Sequence, residues 1–154
     1  MKHILSFCLA LAFSLASFAN DSSAVIYRIR LDQNIDKAAE RLVVKGLQNA
    51  QKCNADYVLL DLDTDGGAVD AADSIRSAIL RYEKPVIAYV NMQAASAGAL
   101  ISIACDSIYM KTGSSIGAAT VVNQRGEVMP DTHQSFMRGM MRSPAHATGR
   151  VPKI

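Results

Sequence analysis

The sequence has no tryptophan, 6% aromatic residues and only three cysteines in 154 positions. Cys8, Cys53 and Cys105 lie far apart and form no CxxC pair, which excludes a zinc ribbon and a disulfide framework. Cys53 and Cys105 sit in apolar contexts, where a free thiol behaves as a small hydrophobe, so both are expected buried and unbridged. No run of Lys or Arg occurs, and a net charge of +2 leaves no footprint for nucleic acid. A continuous apolar stretch of roughly 20 residues, the length that spans a bilayer as a helix, is also missing. With 50% apolar and 19% charged residues, the chain fits one α/β domain and not a disordered or collagen-like polymer.

The first twenty residues stand apart from the rest. Met1-Lys2-His3 is a short positive start, Ile4 to Phe18 is apolar apart from Ser and Cys, and Ser17-Phe18-Ala19 offers small residues for a signal peptidase. This pattern predicts a secretory signal over 1–19, cut after Ala19. An uncleaved N-terminal anchor is the alternative. In both cases the domain, residues 24–154, is expected outside the cytoplasm, at the periplasmic or extracytoplasmic face of a membrane.

Periodicity then sets out the domain. Ala24 to Leu31 alternates apolar residues with Arg28 and Arg30, as a half-exposed strand does. From Ile35 to Ala50 apolar residues recur at three- and four-residue spacing, a helix capped by Asp36. Tyr57 to Leu60 reads as a strand buried on both faces and runs into Asp61-Leu62-Asp63. A second helix follows Gly66-Gly67, with Val69, Ala72, Ile75, Ile79 and Tyr82 on its stripe. Next come a strand over Val86–Val90, a turn at Gln93-Ala94-Ala95, a helix over Ser96–Ala104 and a strand over Ser107–Met110. Two short strands are expected around Asn123 to Gly126, and a last helix over Asp131–Ala147. This alternation implies a parallel sheet with right-handed βαβ units. Chemistry in such sheets gathers at the carboxyl ends of the strands, here Asp63–Gly67 and Asn91–Ser96.

Three local patterns carry chemistry. Asp61 to Gly66 matches the first half of a D-x-D-x-D-G calcium loop, but the closing glutamate position falls on Ala72, so no metal and no cofactor is expected. Gly66-Gly67, at the start of a helix, can turn the backbone so that N–H groups point outward, as an oxyanion site requires. A tight turn is the plainer use of the same pair. Ala94-Ala95-Ser96-Ala97-Gly98-Ala99 is close to the G-x-S-x-G nucleophile elbow, which makes Ser96 a candidate nucleophile and the Ala97 N–H a partner to that of Gly67. Ser is equally at home as a plain helix N-cap.

Taken together with Ser115-Ile116-Gly117-Ala118-Ala119, these motifs resemble the long-form NfeD family, in order from about Val25 to Ile154. That family consists of membrane-bound serine proteases whose domain is akin to the Clp proteolytic subunit and to SppA-type signal peptide peptidases. The resemblance implies a ClpP/crotonase-like fold, Ser96 as nucleophile, and oxyanion amides at Gly66, Gly67 and Ala97. It implies a substrate cleft lined by Ser115, Ile116 and Gly117, and a homo-oligomer acting at a membrane. It also implies apolar peptide or membrane-protein substrates, with stomatin-like proteins as partners.

The chain departs from that family in three places. Asp65 stands where Pro is usual, beside the expected oxyanion hole. Arg142 stands where better understood relatives place the lysine general base, and arginine stays protonated. The chain also ends where relatives continue, so the domain is read as incomplete at its C-terminus. Lys111, His133 and His146 are the other basic candidates, the two histidines on what reads as exposed helix surface; Met137, Met140 and Met141 read as packing. The expected activity is serine endopeptidase. Its rival is an inactive homologue that binds a peptide or a membrane protein. An acyl-CoA enzyme on the same fold conflicts with export.

Overall fold

The structure, a computed structural model, describes residues 23–123 and 125–151. The expected signal over 1–19 lies outside the described residues. The elements run β1 (Ile26–Leu31), α1 (Lys37–Lys52), β2 (Tyr57–Thr64), α2 (Val69–Leu80), β3 (Val86–Ala95), α3 (Ala97–Ala104), β4 (Ser107–Met110), β5 (Ser115–Gly117) and α4 (Asp131–Ala147). All strand pairs are parallel, in the order β1-β2-β3-β4, with β5 also paired to β3. The α/β class with a parallel core is the one read from the sequence.

Local chemistry explains the helices. The Asp36 carboxylate accepts from the Ala38 and Ala39 amides at 2.8 and 2.9 Å, which satisfies two of the four free N–H groups that open α1. Ala39, Val43, Gly46, Leu47 and Ala50 then turn inward at helical spacing. Helix α2 has no side-chain cap, because its N-cap residue, Ala68, carries only a methyl group. Asp70 lies in its first turn instead, its carboxyl held below the usual range by the Ala71 N–H and by Lys37.

The sheet has one covered face. Ile29, Leu31, Val58, Leu60, Leu62, Val86, Ala88 and Val90 share a single core with the inward stripes of all four helices. On the opposite face Tyr57 is 40% exposed and Leu59 half-buried, so β2 is not buried on both sides as its composition suggested. A strand order that advances in one direction puts successive crossovers of one hand on the same side, and this leaves the second face open. On that face the buried Asp61 carboxylate, 4% exposed, is paired with Arg28 reaching from β1.

Four other expectations give way. Strand β3 does not stop at Val90 but runs to Ala95, where the turn was expected, because its end is paired on both sides. Ser115–Gly117, which the periodicity did not mark as a strand, is the strand β5 that makes one of those pairings. The two strands expected around Asn123 reduce to one antiparallel bridge, Val122 to Val128. Asn123 Oδ1, accepting from the Arg125 and Glu127 amides, closes that loop. Cys105 is buried, and burial pushes its thiol pKa up, but Cys53 caps the end of α1 and is exposed.

Candidate active site

Three parallel strands end together. Ala94 on β3 is paired with Thr64 of β2 on one side and Ile116 of β5 on the other. The chain leaving β3 therefore emerges between the loop after Thr64 and the end of β5. Ser96 is the first residue to emerge, and it opens α3 with φ 51° and ψ −111°. A non-glycine residue with this backbone is strained by about 1–3 kcal/mol and persists only where its surroundings hold it. Two contacts hold it here. The Ser96 N–H donates to the Gly117 carbonyl at 2.7 Å, and the Ser96 carbonyl accepts from Ala99 N–H at 3.0 Å as α3 begins.

The glycine pair has divided tasks. The Gly66 N–H donates to Thr64 Oγ1 at 3.1 Å, so Gly66 has no free amide to offer. It supplies room: a Cβ at Gly66 would stand 2.7 Å from the Ser96 Cβ. Gly67 forms a bridge with Ile35, framed by Ile35 N–H to Gly66 O at 2.8 Å and Ala68 N–H to Ile35 O at 2.7 Å. Among the described residues, neither the Gly67 nor the Ala97 N–H donates to a protein acceptor. The Ala97 amide belongs to the first turn of α3, where the helix dipole favours negative charge.

Gly67 and Ser96 share one cleft of about 590 Å³, with Asp65 at its rim and Ala118, Thr120, Val122 and Asn123 as its far wall. The far wall was not anticipated. Its one signal was Gly117-Ala118, where both residues take positive φ, at 136° and 55°. Of the three residues expected to line the cleft, Gly117 touches Ser96 through its carbonyl, whereas Ser115 and Ile116 are exposed on β5 and lie outside the wall. Asp65 carries the cleft's ionisable side chain, and its Oδ1 accepts a hydrogen bond from Gln93 Nε2.

The structure does not bring Arg142 to Ser96. Helix α4 turns Met137, Met140, Pro144 and Ala145 into the core, and at 100° per residue position 142 falls on the opposite, exposed side. Lys111 is exposed as well, its Nζ donating to Asn91 Oδ1 at 3.3 Å, and His133 and His146 are exposed on α4. None of these lines the cleft. Among the described residues no cluster of three His, Cys, Asp or Glu side chains is arranged to hold a metal.

Residues 25–154 match the family described as "NfeD1b, N-terminal domain". The chain belongs to that family. Membrane protein NfeD1b of Bacillus subtilis (strain 168) is 35% identical over 135 residues, which are 88% of this chain and 31% of that protein. Membrane-bound protease PH1510 of Pyrococcus horikoshii is 34% identical over 113 residues, 68% of this chain and 26% of that protein. The chain thus spans about a third or less of these curated relatives. Among solved structures, a serine-to-alanine variant of 1510-N, a membrane-bound stomatin-specific protease, superposes with a TM-score of 0.78 at 28% identity, covering 84% of this chain and 67% of that one. A lysine-to-alanine variant of the same protease, in complex with a substrate peptide, gives 0.77 at 28% identity, over 84% of this chain and 63% of that one. ClpP1 of Listeria monocytogenes gives 0.63 at 20% identity over 81% and 74% of the two chains, a likeness of fold. The NfeD1b N-terminal domain is therefore ClpP-like in architecture. Among its described residues no helix is long and apolar enough to cross a membrane.

Proposed function

We propose that this NfeD1b-type domain is the proteolytic part of a membrane-associated serine endopeptidase acting outside the cytoplasm. Its substrates are apolar peptide segments of membrane proteins of the stomatin type. One observation carries the reading: a strained Ser96 opens a helix in a cleft that Gly67 also lines, and the amides of Gly67 and Ala97, the residue after Ser96, donate to no acceptor among the described residues. That is the arrangement acyl transfer needs. Ser96 Oγ attacks the scissile carbonyl carbon, and the oxygen, now negative, takes hydrogen bonds from both amides. The proton that Ser96 gives up passes to the amine nitrogen as the C–N bond breaks, and water then cleaves the ester, its hydroxyl going to the acyl carbon and its proton back to Ser96 Oγ. Removing one such oxyanion donor costs about 10²–10³ in kcat in other hydrolases. The relatives studied as serine and lysine variants support the class, and PH1510 and 1510-N support the stomatin-like partner.

Among the described residues, the lining of this cleft holds no Lys or His to take the proton from Ser96, and Arg142, exposed and cationic, is no substitute. That observation favours a second reading, a domain that grips a peptide without cutting it. A fluorophosphonate probe separates the two, since it reacts only with an activated serine. The peptidase reading expects labelling that disappears in Ser96→Ala, with a rise toward alkaline pH if an amine is the acceptor. Absence of labelling at every pH, in a protein that still binds an apolar peptide, would replace the peptidase with the clamp.

A further inference from the structure

Asp65 is the feature of the cleft that the proposed chemistry leaves unused. It lies exposed at the rim, two residues before Gly67 and in the same cleft as Ser96. Gln93 Nε2 donates to Oδ1 and fixes the carboxylate, but a neutral amide does not cancel its charge. Asp61 is paired with Arg28, Asp70 with Lys37 and Asp73 with Arg76, whereas Asp63 on β2, outside the cleft lining, enters no ion pair among the described residues. Among the described residues Asp65 enters no ion pair, and no cationic side chain lines the cleft. The far wall, Ala118, Thr120, Val122 and Asn123, is uncharged.

An uncompensated carboxylate in the same cleft as the Gly67 amide and Ser96 works against negative charge developing there. A cation brought by the ligand relieves the conflict. Resting on the peptide-cleft reading above, we propose that Asp65 is a specificity residue that selects peptides with a Lys or Arg side chain next to the segment held over Ser96. The ligand class is an extended, largely apolar peptide carrying one positive charge near its centre. The substrate's own ammonium or guanidinium then completes the electrostatics of the site, and a peptide with a carboxylate at that position is rejected.

Binding tests this without depending on turnover. Three fluorescein-labelled decapeptides, apolar except for a central Lys, norleucine or Glu, are titrated by anisotropy into the Ser96→Ala chain. The Lys peptide is expected to bind about threefold to fivefold more tightly than the norleucine peptide, the range of a solvent-accessible ion pair, and the Glu peptide more weakly than both. Asp65→Asn, which keeps an oxygen for Gln93, should make the Lys and norleucine peptides equal, and Asp65→Lys should reverse the order in favour of Glu. Equal binding of all three peptides by the Ser96→Ala chain overturns the inference and leaves the peptide cleft standing. A Lys preference that survives Asp65→Asn overturns it too. If none of the peptides binds, the cleft reading itself fails and takes this inference with it.

Discussion

At the scale of single residues, the candidate site depends on backbone conformations that few side chains tolerate. Gly67 has φ 151°, and a Cβ there would stand 2.2 Å from the Ile35 carbonyl oxygen and 2.7 Å from its nitrogen. Those are backbone atoms of the bridge that positions the loop, so they cannot swing aside. Gly67→Ala is therefore expected to lower stability by about 2 kcal/mol or more, through strain and a displaced bridge. It should also abolish fluorophosphonate labelling of Ser96. Thermal melting and labelling, read on one preparation, check this; a variant that melts and labels like the parent would show that Gly67 is merely a convenient turn residue. The meeting of Ser96 with the glycines was legible because both follow the ends of parallel strands, but the division of tasks was not: the Gly66 amide, expected free, is taken by Thr64 Oγ1. Nor were Cys53 and Arg142. Which side of a helix a residue occupies depends on what packs against the helix, and an apolar or family-like neighbourhood does not settle that.

At the scale of elements, the helices follow their sequence pattern closely, and the strand ends do not. The stripe of α1 and its Asp36 cap are both where the spacing put them. Helix α4 covers the expected Asp131–Ala147, with Met137 and Met140 inward as packing residues. Its outward face contains Gly139, where an added Cβ would meet nothing within 4 Å. Glycine within a helix costs backbone entropy relative to alanine. Gly139→Ala should thus raise stability by about 0.5–1 kcal/mol and leave Ser96 labelling unchanged, which urea titration and the probe can verify. A loss of stability would mean that α4 is bent or crowded at that turn. The end of β3 was misread because Gln93-Ala94-Ala95 has none of the β-branched or aromatic residues that mark strands. Its extended conformation comes from pairing with Thr64 and with Ser115–Gly117, partners remote in sequence. Local composition carries no trace of such pairings.

At the scale of the whole molecule, the chain is a single-faced sheet under a row of helices, and its far end is tied back to the helix that begins at Ser96. Arg150 makes that tie. Its Nη1 donates to the Ile103 and Cys105 carbonyls at 3.0 and 2.9 Å, and its Nη2 to the Asp106 carbonyl at 3.2 Å. These oxygens belong to the last turn of α3 and the two residues after it, the negative end of the helix dipole, where a guanidinium is favoured. The planar fork reaches several carbonyls at once, which a lysine cannot do. Arg150→Ala leaves those carbonyls without their donor, and hydrogen bonds to a charged group each contribute about 1.5–3 kcal/mol. Allowing for water at this half-buried site, a net loss of about 2 kcal/mol is expected. With a urea m-value of about 2 kcal/mol/M, that is a fall of roughly 1 M in the unfolding midpoint. Arg150→Lys should recover less than half of it. Amide exchange should quicken first at the end of α3 and along α4, because the tie joins those two helices, while β1 to β3 keep their protection. If the midpoint does not move, or if exchange quickens evenly over the sheet, Arg150 is not what joins the two helices. The packing of Met137 and Met140 against the core would then account for the docking of α4 alone.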